Sequence, residues 1–132
     1  MVKSQLIDLL RHFSPSELHE LQLFVASPYF NRGNFADEVM SLLAFILAAA
    51  PDFSENSLER DKAYRVVFPE GPEVEGKLDK VMSELHKLAK EFLSASQYMH
   101  PGNEFRRLLD QAAFYRTHAM DKRHLHTVQK LE

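Results

Sequence analysis

A chain of 132 residues with 45% hydrophobic and 27% charged side chains has the material for one globular core. It contains no cysteine, which excludes a disulfide framework, thiol catalysis and any cysteine-ligated metal. The net charge of −3 is uneven, with three basic and seven acidic groups in residues 1–58 against six and four in 101–132; this mild C-terminal excess falls short of the basic footprint that nucleic acid requires.

The opening MVKSQLIDLLRHF reaches Asp8 and Arg11 before any long apolar run, so no secretory signal is legible and a cytoplasmic location is expected. Val2, Leu6, Leu9 and Phe13 recur at helical spacing and predict a first helix with those residues inward. Asp8 and His12 are spaced to share a metal, but a histidine near a helix C-terminus has a simpler role toward the helix dipole. A capping box starts the second helix: Ser14 as N-cap, Pro15 at the first helical position, Glu17 three residues after the cap. Its apolar face is Leu18, Leu21, Phe24 and Val25, and Pro28 ends it at Ser27.

The stretch SPYFNRGN then places Tyr29 and Phe30 in what should be a solvated turn. They are the candidate interaction residues. Phe30 is expected to be buried as a plug between the second and third helices, with Tyr29 partly exposed.

A third helix is expected from about Phe35 or Ala36 to Ala50, stopped by Pro51. LLAFILAAA, its core, is far shorter than the ~20 apolar residues that span a bilayer. Because no polar side chain follows Ser41 until Asp52, this helix should be surrounded, by other helices or by a second chain. The loop PDFSENS follows, then a short helix LERDKAYRVVF ended by Pro69, then the turn FPEGPE.

The longest predicted helix runs from about 73 to 99, with Gly76 in its first turn. Val74, Leu78, Val81, Leu85, Leu88, Phe92, Ala95 and Met99 form a heptad seam. Lys80 with Glu84, and Lys87 with Glu91, are spaced as i,i+4 pairs worth about 0.3–0.5 kcal/mol each. HPGN makes a turn with Asn103 as the expected N-cap of FRRLLDQAAFY, whose apolar positions are Phe105, Leu108, Leu109 and Ala112. A last segment places Met120, Leu125 and Val128 on one side.

Reactive constellations are hard to find. Gly33, Gly71, Gly76 and Gly102 are too dispersed for a phosphate loop, and no nucleophile elbow or H-E-x-x-H occurs. His118, His124 and His126 read as a solvated face, since residues two apart on a helix diverge. Acidic pairs such as Asp37/Glu38 and Glu73/Glu75 sit in first helical turns, where the dipole favours them. No enzyme activity, cofactor, metal or small-molecule substrate is expected.

The alternative is a helix-turn-helix-like DNA-binding regulator using residues 57–97, with Lys77, Lys80, Lys87 and Lys90 as phosphate contacts. Against it, Glu75, Asp79, Glu84 and Glu91 interleave with those lysines, and the helix opens on PEVEG rather than a basic or amide-rich turn.

Two stretches, VASPYFNRG and AYRVVFPEGP…KLDKVMSELHKLAKEFL, resemble the N-terminal region of a family of uncharacterised helical proteins of Bacteroidetes-type bacteria. Pro51-Asp52-Phe53, Phe68-Pro69, Met82-Ser83 and Leu85 stand where that pattern puts them, over about residues 15–125. Asp79, where an arginine is expected, and Glu70, between Pro69 and Gly71, depart from it. The resemblance implies a longer chain continuing as helical hairpins of a tetratricopeptide-like kind, and it implies no reaction.

The sequence therefore reads as all-α, a compact bundle of six or seven helices. Residues 1–100 are expected to form the bundle, 101–130 a helical hairpin that begins a longer, repeat-like helical region, and 131–132 read as a tag remnant. The expected role is a non-catalytic interaction or scaffold module, binding a protein partner or itself, with no membrane segment.

Overall fold

The computed structural model describes Met1 and residues 3–118. Val2 and the segment 119–132 lie outside the described residues. With that segment go the last expected helix (Met120, Leu125, Val128), His124, His126 and the 131–132 remnant. The described residues form six α-helices and one 3₁₀ turn, with no strand among them, so the fold is all-α. The chain divides into two compact units, Met1–Phe92 and Leu93–Glu132. The division falls inside the longest helix; the sequence reading puts it at 100.

In the first unit, α1 spans Gln5–Arg11 and is capped by Ser4, whose hydroxyl accepts from the Ile7 N–H at 3.3 Å. Leu6, Ile7 and Leu10 are its buried side chains. The expected face of Leu6, Leu9 and Phe13 is therefore corrected: Leu9 is only partly buried, and Phe13 is buried from beyond the helix end, where helical period no longer sets its direction. His12 is the C-cap, and its Nδ1 lies 2.7 Å from the Asp8 carbonyl, one of the acceptors a helix end leaves open.

α2 spans Pro15–Ala26 and carries both bonds of the capping box, Ser14 N–H to Glu17 at 2.9 Å and Glu17 N–H to Ser14 at 3.1 Å. It buries Leu18, Leu21 and Val25. α3 spans Ala36–Leu47 and packs against α2 and against α4, Arg60–Val67. Val39, Leu42, Leu43 and Ile46 form its inner face. Each such side chain contributes about 1.5–3 kcal/mol when fully withdrawn from water.

Two expectations for α3 are corrected. It ends at Leu47, with Ala48 to Ala50 in a turn, and the other helices of this chain do not surround it: Met40 is 41% exposed and Ala44 and Ala48 are open. An apolar composition had hidden a one-sided helix, because alanine is cheap to expose and marks no face.

α5 spans Lys77–Tyr98 and begins about four residues later than the expected start near 73. Gly76 precedes the helix with φ +82°, a left-handed conformation that only glycine adopts freely. Val74 is exposed in the connection, and its N–H donates to the Tyr64 hydroxyl at 2.8 Å. The working seam is Leu78, Val81, Leu85, Leu88, Ala89 and Phe92. At the start of α5, the Lys77 ammonium lies 4.4 Å from the Phe68 ring centroid, and Arg60 reaches from α4 to Asp79 at 2.8 Å.

Among the described residues, the second unit contains the last turns of α5, a 3₁₀ turn at Pro101–Asn103 and α6, Glu104–Thr117. Arg107 donates to the carbonyls of Tyr98 (2.7 Å) and His100 (3.0 Å), so a guanidinium from α6 satisfies the end of α5. The Tyr98 hydroxyl donates to Asp110, and this bond raises the phenol above its ordinary pKa, with lost hydration adding to it. Asn103 makes no side-chain cap, contrary to expectation; its amide donates back to the Gln97 carbonyl instead. Of the four expected apolar positions in α6, Ala112 is buried, Leu108 is partly buried, and Phe105 and Leu109 are exposed.

Candidate functional site

The connection between α2 and α3 is short, and it is built around an asparagine. The Ser27 carbonyl accepts from the N–H groups of Phe30 (3.2 Å) and Asn31 (2.9 Å), which turns the chain back on itself. Asn31 is 8% exposed, the one buried polar residue among those described. Its side-chain amide donates to the carbonyls of Val25 and Ala36, each at 3.0 Å. One side chain thus ties the end of α2 to the start of α3.

That arrangement decides where the aromatics go. Phe30 is 42% exposed and Tyr29 70% exposed, so the expectation that Phe30 is a buried plug is overturned. Asn31 occupies the inward position between the two helices, and the preceding residues are turned out. Phe30 lies on the outer end of an aromatic series instead. It stacks on Phe24 with centroids 4.2 Å apart, Phe24 meets Phe92 edge-on at 5.7 Å, and Phe92 meets Phe13 at 5.9 Å. Tyr29 sits edge-on to Phe30 at 5.0 Å.

Arg32 closes the turn from its other end. Its Nε donates to the Tyr29 carbonyl at 2.6 Å and its guanidinium lies 4.6 Å from the Tyr29 ring centroid. Both exposed rings are therefore held, Tyr29 by Arg32 within the turn and Phe30 by its stack on Phe24 of α2. Beside them runs a groove of about 350 Å³, lined by Phe30, Asn31, Arg32 and Gly33 on the loop and by Glu84, Lys87, Leu88 and Glu91 on α5. Chemically it is an amphipathic surface: an apolar ring edge, one cation beside it, and alternating charges on the helical wall.

The four lysines assigned to the nucleic-acid alternative are not equivalent. Lys77 is partly buried against Phe68, whereas Lys80, Lys87 and Lys90 are exposed. Lys80 and Lys87 flank Glu84, and Glu91 lines the same groove as Lys87, so this face of α5 carries mixed signs. The connection from α4 to α5 covers residues 68–76, well beyond the ~3–4 residues of a helix-turn-helix turn.

Neither expected i,i+4 pair, Lys80–Glu84 or Lys87–Glu91, closes to an ion pair; the two that form among the described residues are Arg60–Asp79 and Lys62–Glu59. Among the described residues no cluster of three histidine, aspartate or glutamate side chains is placed to hold a metal, and no helix is long and apolar enough to cross a membrane. His86, on α5, has its pKa lowered by partial burial and by the charge of Lys90.

Sequence reasoning singled out Tyr29 and Phe30 but passed over Asn31. A signal existed: an asparagine between two helix ends is a compact double donor where the last carbonyls of one helix need partners. No family model matches the chain, no curated protein matches it, and no solved structure matches it.

Proposed function

We propose that this chain is a non-catalytic helical interaction module that presents the Tyr29–Phe30 turn, with Arg32 and the adjoining face of α5, to a protein partner. One observation carries the reading: two exposed aromatic rings are held outward on a turn fixed by the buried amide of Asn31. Rings already ordered lose little conformational freedom on binding, which is why aromatic anchors beside arginine recur at the centres of interfaces. The place of the module at the start of a longer helical protein, as the family resemblance implies, belongs to the same reading.

Photo-crosslinking in cells tests it. A benzoylphenylalanine placed at Tyr29 should trap a discrete protein band that the same residue at Lys62, exposed on α4, does not trap. Equal crosslinking from both positions, or none from either, overturns the reading.

A further inference from the structure

The chemistry of the helical wall beside Phe30 narrows the partner. Lys80, Glu84, Lys87 and Glu91 are spaced four, three and four residues apart, a spacing that reads the same in either direction. Their signs alternate, so reversing the order inverts every charge. Laid against itself antiparallel, this row sets Lys80 opposite Glu91 of a second copy and Glu84 opposite Lys87 of that copy, each pairing occurring twice. Laid parallel, in register or shifted by one heptad, it sets like against like. Among the described residues none of these four side chains has an ion-pair partner within its own chain. Lys80, Lys87 and Glu91 are exposed, and Glu84 is partly so.

The surface relief has the matching symmetry. Glu84 lines two grooves: the one that holds Phe30, of about 350 Å³, and a second, of about 330 Å³, lined also by Phe35, Asp79, Lys80 and Ser83. A two-fold axis passing across the helix between Glu84 and Lys87 brings the first groove of one copy over the second groove of the other. The Tyr29–Phe30 turn of each copy then faces the Phe35 groove of its neighbour.

We propose that the partner of this surface is a second copy of this chain, bound as a two-fold dimer with its α5 helices antiparallel and the Tyr29–Phe30 turns covering the Phe35 grooves. The inference rests on the interaction reading above and commits it to one occupant. Ring burial supplies the cohesion, and the reciprocal charges supply orientation and register, the division of labour that charged flanks have in paired helices. One helix pair with two flanking turns lies near the low end of stable interfaces, about 1,200 Å². Association at micromolar concentration, weakened by salt, is the expected behaviour.

Charge reversal with mixing tests the dimer. Sedimentation velocity on the wild-type chain should show a monomer–dimer equilibrium that shifts toward monomer in high salt. The Lys80→Glu/Lys87→Glu variant makes the row wholly acidic, and Glu84→Lys/Glu91→Lys makes it wholly basic. Each alone should associate at least about tenfold more weakly than wild type. Their equimolar mixture should recover a dimer containing one of each. The Glu84→Lys/Lys87→Glu variant preserves the self-complementary order and should dimerise like wild type, which separates a lost interface from a damaged fold.

A wild-type chain that stays monomeric at low salt overturns the proposal, as does a mixture whose components remain apart. If the chain is monomeric while the crosslink from Tyr29 captures a different protein, the second copy is wrong and the interaction reading stands. If the chain dimerises as described while position 29 traps nothing beyond the Lys62 control, the aromatic turn is not the anchor and both fall.

Discussion

Two loops of the first unit begin with the same local text and end in opposite environments. Pro28-Tyr29-Phe30 follows α2 and Pro51-Asp52-Phe53 follows α3, each a proline, a spacer and a phenylalanine after a helix. Phe53 is 3% exposed, whereas Phe30 keeps 42% of its surface in water. Phe53 is carried inward by a backbone in the left-handed region (φ +49°), with its carbonyl held by the Arg11 guanidinium at 3.1 Å. Such a conformation costs a non-glycine residue about 1–3 kcal/mol, and burial of the ring offsets it. In the first loop a polar residue, Asn31, takes the inward place and the ring is left outside. A loop phenylalanine is thus structural or available according to which neighbour holds the backbone.

Substitutions at the two loops should separate accordingly. The largest effect is expected at Phe53→Ala, about 3–5 kcal/mol of lost stability by urea unfolding, with binding unchanged in the folded fraction. A loss as small as that of an exposed ring would erase the contrast. Asn31→Ala should follow at about 2 kcal/mol, because it removes two hydrogen bonds and leaves two carbonyls without their donor. It should also loosen the turn, so that crosslinking from position 29 weakens with it.

Phe30→Ala should cost only about 1 kcal/mol, since it removes the Phe24 stack of a ring much of whose surface is already wet. Its main effect should appear in association rather than in unfolding. A loss near that of Phe53→Ala would instead restore the plug. The smallest effect lies outside both loops, at His86. Its pKa is lowered in the folded chain, so the unfolded chain binds the extra proton first. Stability should therefore be full above the ordinary histidine value of about 6.5 and decline as pH falls below it. Unfolding midpoints of wild type and His86→Gln across that range should show a shallower slope in the variant.

The helices were legible in the chain because their determinants are local. Ser14, Pro15 and Glu17 specify the start of α2, Pro28 and Pro69 stop α2 and α4, and the seam from Leu78 to Phe92 repeats at a period no strand supports. The all-α class follows from these residues alone. The candidate pair Tyr29 and Phe30 was legible for the same reason, as aromatics where a turn was required.

Tertiary structure decided which apolar residue meets which neighbour. Periodicity marks a face without saying what covers it, so α3 read as a helix needing cover from other helices or a second chain, and its own chain leaves one face of it open. Gly76 fits a helical first turn as a string of letters, yet with Tyr64 holding the Val74 N–H it becomes the hinge that delays α5 to Lys77. The fate of Phe30 depended on a third residue whose two acceptors, Val25 and Ala36, lie on different helices. Local propensity reaches a few residues along the chain; a buried amide that joins two helix ends exists only once both ends have been brought together.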